Sequence, residues 1–173
     1  MKNILFRNLV YIDYDEENHG VFYDSLKEVS GTSRYYAFTD ASDALGALIS
    51  KKLKPDVIFL ELDMPKMSGQ QFLAEIKKHE ELKNIPVLVI SSAMQRSIIE
   101  FVRLLGANAV IRRPSTMPGF ARLLSSVLSF DFFGNSDFIC PALHLEKSYK
   151  GNNILVPEEV FMMGPSERGI HLN

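Results

Sequence analysis

The stretch Pro55-Asp56-Val57-Ile58-Phe59-Leu60-Glu61-Leu62-Asp63-Met64-Pro65-Lys66-Met67-Ser68-Gly69 decides the architecture. Val57 to Leu60 is apolar throughout and rich in β-branched and aromatic residues. Such a run suits a strand buried on both faces, as in a parallel sheet. Glu61 and Asp63 follow it at once. Ser68, with Gln71 three residues on, reads as a capping box, and Phe72, Leu73 and Ile76 form the inward face of the helix it starts. The stretch is therefore strand, acidic loop, helix.

The same alternation extends to both sides. Further strand runs are Leu9–Ile12, Tyr35–Phe38, Val87–Ile90 and Ala109–Ile111. Between them lie segments with helical spacing: Phe22, Leu26 and Val29, then Leu45, Leu48, Ile49 and Leu53, then Ile98 to Leu105, then Phe120 to Leu128. Asp40 is placed to cap the second helix. Lys51, Lys52 and Lys54 suit its C-terminal end, and Pro55 stops it. Gly106 sits at a natural C-cap after the fourth. Five strands alternating with five helices imply right-handed crossovers and a three-layer α/β/α sandwich around a parallel sheet.

Composition narrows the class. The 173 residues carry a net charge of −2, 46% hydrophobic and 23% charged residues. That is the profile of a soluble domain with no basic field for nucleic acid or an anionic membrane. Uninterrupted apolar runs stop at about four residues, far short of the ~20 that span a bilayer. The single cysteine, Cys140, rules out an internal disulfide framework and fits a reducing cytoplasm. His19, His79, His144 and His171 share no metal-ligand spacing, and no phosphate loop or dinucleotide glycine fingerprint is present. The alternation occupies residues 1–130. Residues 131–173 form an extension, too apolar for a simple disordered tail, that either covers its own domain or exchanges a strand or hairpin with a second subunit.

In a doubly wound sheet functional groups gather at the carboxyl ends of the strands. Strand one ends Asp13-Tyr14-Asp15-Glu16-Glu17, strand three Glu61-Leu62-Asp63, strand four Ser91-Ser92 and strand five Arg112-Arg113-Pro114. Converging carboxylates need either a hard cation such as Mg²⁺ or a basic side chain. Asp15, Glu16 and Glu17 are also what the first turn of a helix favours.

These residues resemble the receiver domain of bacterial two-component response regulators, over roughly residues 3–130. The resemblance rests on Val10 to Asp15, Pro55 to Gly69, Ile85 to Ser91, Gly106-Ala107-Asn108 and Arg113-Pro114. It implies a flavodoxin-like fold and a phosphorylation switch. In the family an Asp ending strand three accepts a phosphoryl group, and acids after strand one hold Mg²⁺. A Ser or Thr after strand four and a Lys after strand five grip the phosphoryl group.

Asp13 and Ser91 match that pattern. Glu61 stands at the phosphoacceptor position, its carboxylate ~1.5 Å further out by one carbon–carbon bond. Tyr14 replaces the direct metal ligand, Arg113 the Lys and Val110 the strand-five aromatic residue that in the family swings inward to report the state, while Asp63 falls where the family varies. Arg offers a planar fork that suits a carboxylate. The substitutions therefore predict an internal Glu61–Arg113 ion pair in place of the metal. The Mg²⁺ site at Asp13 and Glu61 is then weak or absent, with Asp15 a candidate ligand if the turn is re-registered.

The expected function is a non-enzymatic pseudo-receiver that acts through protein contacts and needs no cofactor. The alternative is a working receiver that accepts a phosphoryl group with Mg²⁺ at Glu61 or a neighbouring acid. The resemblance implies a histidine kinase as one candidate partner. The fourth and fifth helices carry more apolar residues than a sheet-facing stripe needs. Ile99, Phe101, Leu104, Leu123 and Val127, with the tail, are the candidate interface for a protein partner or sister subunit.

Overall fold

The computed structural model describes residues 6–92 and 95–129, together with the backbone of Val160 and Phe161. Its elements are β1 (Asn8–Ile12), α1 (Glu16–Val29), β2 (Arg34–Phe38), α2 (Ala41–Ile49), β3 (Val57–Glu61) and α3 (Gly69–Lys78). β4 (Val87–Ser91), α4 (Arg96–Leu104), β5 (Ala109–Arg112), α5 (Met117–Leu128) and β6 (Val160–Phe161) follow. The sheet order is β2-β1-β3-β4-β5-β6. β1 to β5 are mutually parallel and β6 joins β5 antiparallel. β1 to β5 and their helices form the three-layer sandwich that the alternation predicts, with the flavodoxin-like fold that the resemblance implies, and β6 adds a sixth strand to the expected five.

Two apolar cores sit on opposite faces of the sheet, as the period of two along a strand requires. Val10, Ile12, Ile58, Leu60 and Val89 face α2, α3 and α4. Leu9, Tyr11, Val57, Phe59, Leu88 and Ile90 face α1 and α5. Every residue of β3 and β4 is buried. β2 departs from expectation: it is an edge strand whose residues are exposed or half-buried.

Local signals set the boundaries. Asp40 caps α2 by accepting from the Ser42 amide, and Ser68 with Gln71 forms the full capping box on α3. Gly106 closes α4 with φ +97°, a backbone conformation that costs any residue with a Cβ. Two helices differ from the sequence reading. α2 ends at Ile49, and Lys51 turns into the left-handed region at φ 60°, so Lys51, Lys52 and Lys54 lie beyond the helix. Ile49 accordingly faces outward and Leu53 is buried from the loop. α5 starts at Met117, earlier than its apolar pattern suggests, because Thr116 accepts from the Gly119 amide and Pro118 tolerates the first turn.

The candidate interface divides. Ile99, Leu123 and Val127 are 7%, 4% and 0% exposed, so they belong to the cores and offer no docking surface. The apolar excess of α5 is absorbed by α1 and the sheet, through Phe120, Leu123, Leu124, Val127 and Leu128. Phe101 and Leu104 remain outward, 51% and 86% exposed. Of the extension predicted for residues 131–173, only β6 is described. Cys140, His144 and His171 lie outside the described residues. Among the described residues no helix is long and apolar enough to cross a membrane.

Candidate functional site

The carboxyl ends of β1, β3, β4 and β5 converge as the topology requires. Asp13 follows β1 at a fully buried position, and its backbone amide donates to Phe38 O at 3.1 Å. Its Oδ2 accepts from the Tyr11 hydroxyl at 2.7 Å and from Asn18 Nδ2 at 3.1 Å. Its Oδ1 accepts from the Asp15 amide at 2.9 Å. Arg113 Nη2 stands 3.0 Å from Asp13 Oδ2. Both oxygens of this buried carboxylate are thus engaged, which removes most of the cost of burying it.

Glu61 ends β3 and is 3% exposed. Its side chain folds back on its own loop. Oε1 accepts from the Leu62 amide at 2.7 Å and from the Asp63 amide at 3.0 Å. Oε2 pairs with Arg113 Nη2, the same nitrogen that contacts Asp13. Burial pushes the Glu61 carboxyl up, and the Asp63 amide, Arg113 and the Leu62 amide pull it back only in part. Burial works against the Arg113 cation, yet the surrounding Tyr11, Asp13 and Glu61 more than offset it and hold the guanidinium pKa up. Arg113 is placed by its own amide, which donates to Ser91 O at 3.0 Å and ties the end of β5 to that of β4. The buried Arg113 Nε has no hydrogen-bond partner among the described residues.

The loop around Glu61 is shaped by Gly69. Its amide donates to Leu62 O at 2.9 Å. A Cβ there would stand 2.3 Å from Glu61 O and 2.7 Å from Leu62 Cα, so only glycine fits.

The remaining sequence candidates separate from this pair. Ser91 is buried at the rim. Tyr14 is 52% exposed and Asp63 is exposed, contributing only its amide. Asp15 is the N-cap of α1, its side chain accepting from the Glu17 amide at 2.9 Å. The acidic turn after β1 thus caps α1 and places Glu16 and Glu17 in its first turn. Tyr11, Asn18 and His19 were absent from the sequence candidates. Tyr11 was legible, since it lies two residues before Asp13 and shares its side of the strand. His19 Nε2 lies 2.7 Å from Asp13 O, and Nδ1 lies 2.7 Å from the Tyr35 hydroxyl. A carbonyl only accepts, so Nε2 donates to Asp13 O, while Nδ1 pairs with the Tyr35 hydroxyl. Burial pushes the Tyr11 phenol up, and Asp13 adds to it; Tyr35 shifts the same way for the same two reasons.

The family profile described as the response regulator receiver domain matches residues 11–124. The chain belongs to that family. Among relatives, this receiver is 28% identical over 123 residues to the polar-differentiation response regulator DivK of Brucella anthropi, covering 70% of this chain and 96% of that one. The phosphorylated cyanobacterial phytochrome response regulator RcpA superposes with TM-score 0.65 at 22% identity, over 70% of this chain and 90% of that one. The chemotaxis response regulator CheY4 of Vibrio cholerae gives TM-score 0.61 at 19% identity, over 70% and 98%. The receiver is a signalling domain of two-component systems, and its acidic pocket lies where β1, β3 and β5 end.

In this structure the carboxylates that would hold Mg²⁺ are engaged by protein donors. Each oxygen of Asp13 and Glu61 already accepts from a protein donor, Asp15 caps a helix and Tyr14 faces outward. The positive charge between the carboxylates is Arg113. Among the described residues no group of three or more His, Cys, Asp or Glu could hold a metal ion.

Proposed function

We propose that this chain is a pseudo-receiver, a cytoplasmic two-component signalling module that works by protein contact without accepting a phosphoryl group. One observation carries the reading: a single guanidinium nitrogen, Arg113 Nη2, bridges Asp13 and Glu61. Phosphoryl transfer is largely positioning and charge neutralisation around an in-line nucleophile. Here the carboxylate at the acceptor position turns back onto two backbone amides, and the cation beside it is part of the chain. Arg113 supplies the charge balance that a metal would otherwise bring, and it holds the pocket in one arrangement.

Output then depends on surfaces rather than chemistry. Phe101 and Leu104, three residues apart on α4 and both outward, are the apolar groups this reading assigns to a protein partner or sister subunit. A histidine kinase is one candidate among such partners.

The test is intact mass after incubation with acetyl phosphate and Mg²⁺, beside a phosphorylatable receiver as control. The expected result is an unchanged mass for this chain and a labelled control. Gain of one phosphoryl group, abolished by prior chelation of the metal, overturns the reading in favour of a working receiver.

A further inference from the structure

β5 ends the run of parallel strands, and a sheet edge presents unpaired amides and carbonyls that recruit any extended segment. Its outer side is taken by β6, with Val110 opposite Phe161 and Ile111 opposite Val160. We propose that the β5 edge is a strand-acceptor site whose resident occupant is Val160–Phe161 of the same molecule. On this proposal Val160–Phe161 pairs within one molecule and is not exchanged between subunits.

Three observations favour this occupant. Val and Phe are strong strand formers, and their backbone pairs in register with Val110 and Ile111, both fully buried. In the sequence Glu158 and Glu159 precede Val160, and Arg112 and Arg113 follow Ile111, its register partner, so the sequences flanking the pair carry opposite charges. Residues 130–159 provide a tether of up to roughly 100 Å at ~3.3 Å per residue, ample for the molecule's own edge. A tether of this kind gives the strand a millimolar-scale effective concentration, which a second copy matches only at comparable protein concentration.

Hydrogen exchange of the full chain, read at the β5 amides that point away from β4, tests this together with molar mass by light scattering. A monomer is expected, with those amides protected equally across a hundredfold dilution. Val160→Pro and Phe161→Pro, one of which must remove a ladder donor, are expected to speed their exchange about tenfold or more while β1 and β3 stay protected. Protection that falls on dilution as a dimer dissociates overturns the proposal in favour of exchange between copies. So do outward β5 amides that exchange freely in the wild-type chain, or that stay protected in both proline variants. The wild-type dilution series decides the matter even if a proline variant fails to fold.

Discussion

Arg113 Nη2 lies 3.0 Å from Asp13 Oδ2 and donates to Glu61 Oε2, so one nitrogen neutralises two buried carboxylates at the ends of different strands. Removing a partner from such a group leaves uncompensated buried charge, which costs more than the pair contributes. Arg113→Met is expected to destabilise the chain by about 3 kcal/mol, the lower end of the buried range, because Arg113 retains some solvent contact. Adding Glu61→Gln to that variant should recover part of the loss, since one stranded anion is gone. Urea unfolding of the two single variants and the double variant measures the coupling directly. A cycle that closes with no coupling would show that the bridge has no energetic content.

Tyr11 contributes a second donor to Asp13. Its hydroxyl is buried, 2.7 Å from Oδ2, and burial keeps it protonated. Tyr11→Phe preserves the stacking of this ring on Phe22 and removes only the hydrogen bond. Loss of a bond to a charged acceptor costs about 1.5–3 kcal/mol. Thermal or chemical unfolding should therefore show a loss of that size, with an unchanged β-sheet spectrum.

On the pseudo-receiver proposal the wild-type pocket takes no Mg²⁺, because Arg113 Nη2 sits between Asp13 and Glu61 and Tyr14 is exposed. Glu61→Asp alone is expected to leave the metal unbound, since the guanidinium remains. Glu61→Asp, Tyr14→Asp and Arg113→Lys together shorten the acid, supply a ligand and replace the fork by a flexible amine. Titration calorimetry should then detect Mg²⁺ binding in the triple variant and none in the wild-type chain. A triple variant that folds yet binds no metal would mean that the register aligning Tyr14 with the metal ligand is wrong.

Much of this architecture is legible in the sequence because apolar runs, caps and glycines act locally. The five parallel strands fall within a residue or so of their apolar runs, and Ser68 with Gln71 marks the start of α3. The Glu61–Arg113 pair also follows from chemistry at strand ends. What sequence periodicity does not carry is which side of a helix the sheet covers. Ile99 and Phe101 look alike as apolar residues of α4, yet one is buried and the other half exposed. Hydrogen bonds across the chain are equally hidden: His19 and Tyr35 are sixteen residues apart and meet only once β2 pairs with β1. Asp15 shows the converse, an acid of the strand-one turn that the structure places as the N-cap of α1.

Gly69 carries a prediction about backbone rather than side chains. A Cβ at this position meets the carbonyl oxygen of Glu61 and the Cα of Leu62, and neither can rotate away. Gly69→Ala must push the loop off the end of β3, carrying the amides of Leu62 and Asp63 with it. The expected cost is about 3 kcal/mol, at the upper end of overpacking. Amide chemical shifts of residues 62 and 63 should move even where the rest of the spectrum does not. An alanine variant with wild-type stability would show that the loop has room to relax.

Lys77 provides the pH dependence. Its ammonium donates to Lys83 O at 2.8 Å and Ile85 O at 3.2 Å, and burial pushes its pKa from 10.5 down to about 8. The folded state therefore gives up this proton more readily than the unfolded chain. Between about pH 8 and 10.5 the unfolded state binds more protons, so this group makes stability rise with pH across that window. Below pH 8 both states are protonated and the contribution is flat at its least favourable value. Lys77→Met removes the titration. Relative to that variant, the wild-type chain should gain stability from pH 8 to pH 10, measured by urea unfolding at fixed ionic strength. Parallel curves for the two proteins over that range would show that the Lys77 ammonium titrates as it does in water.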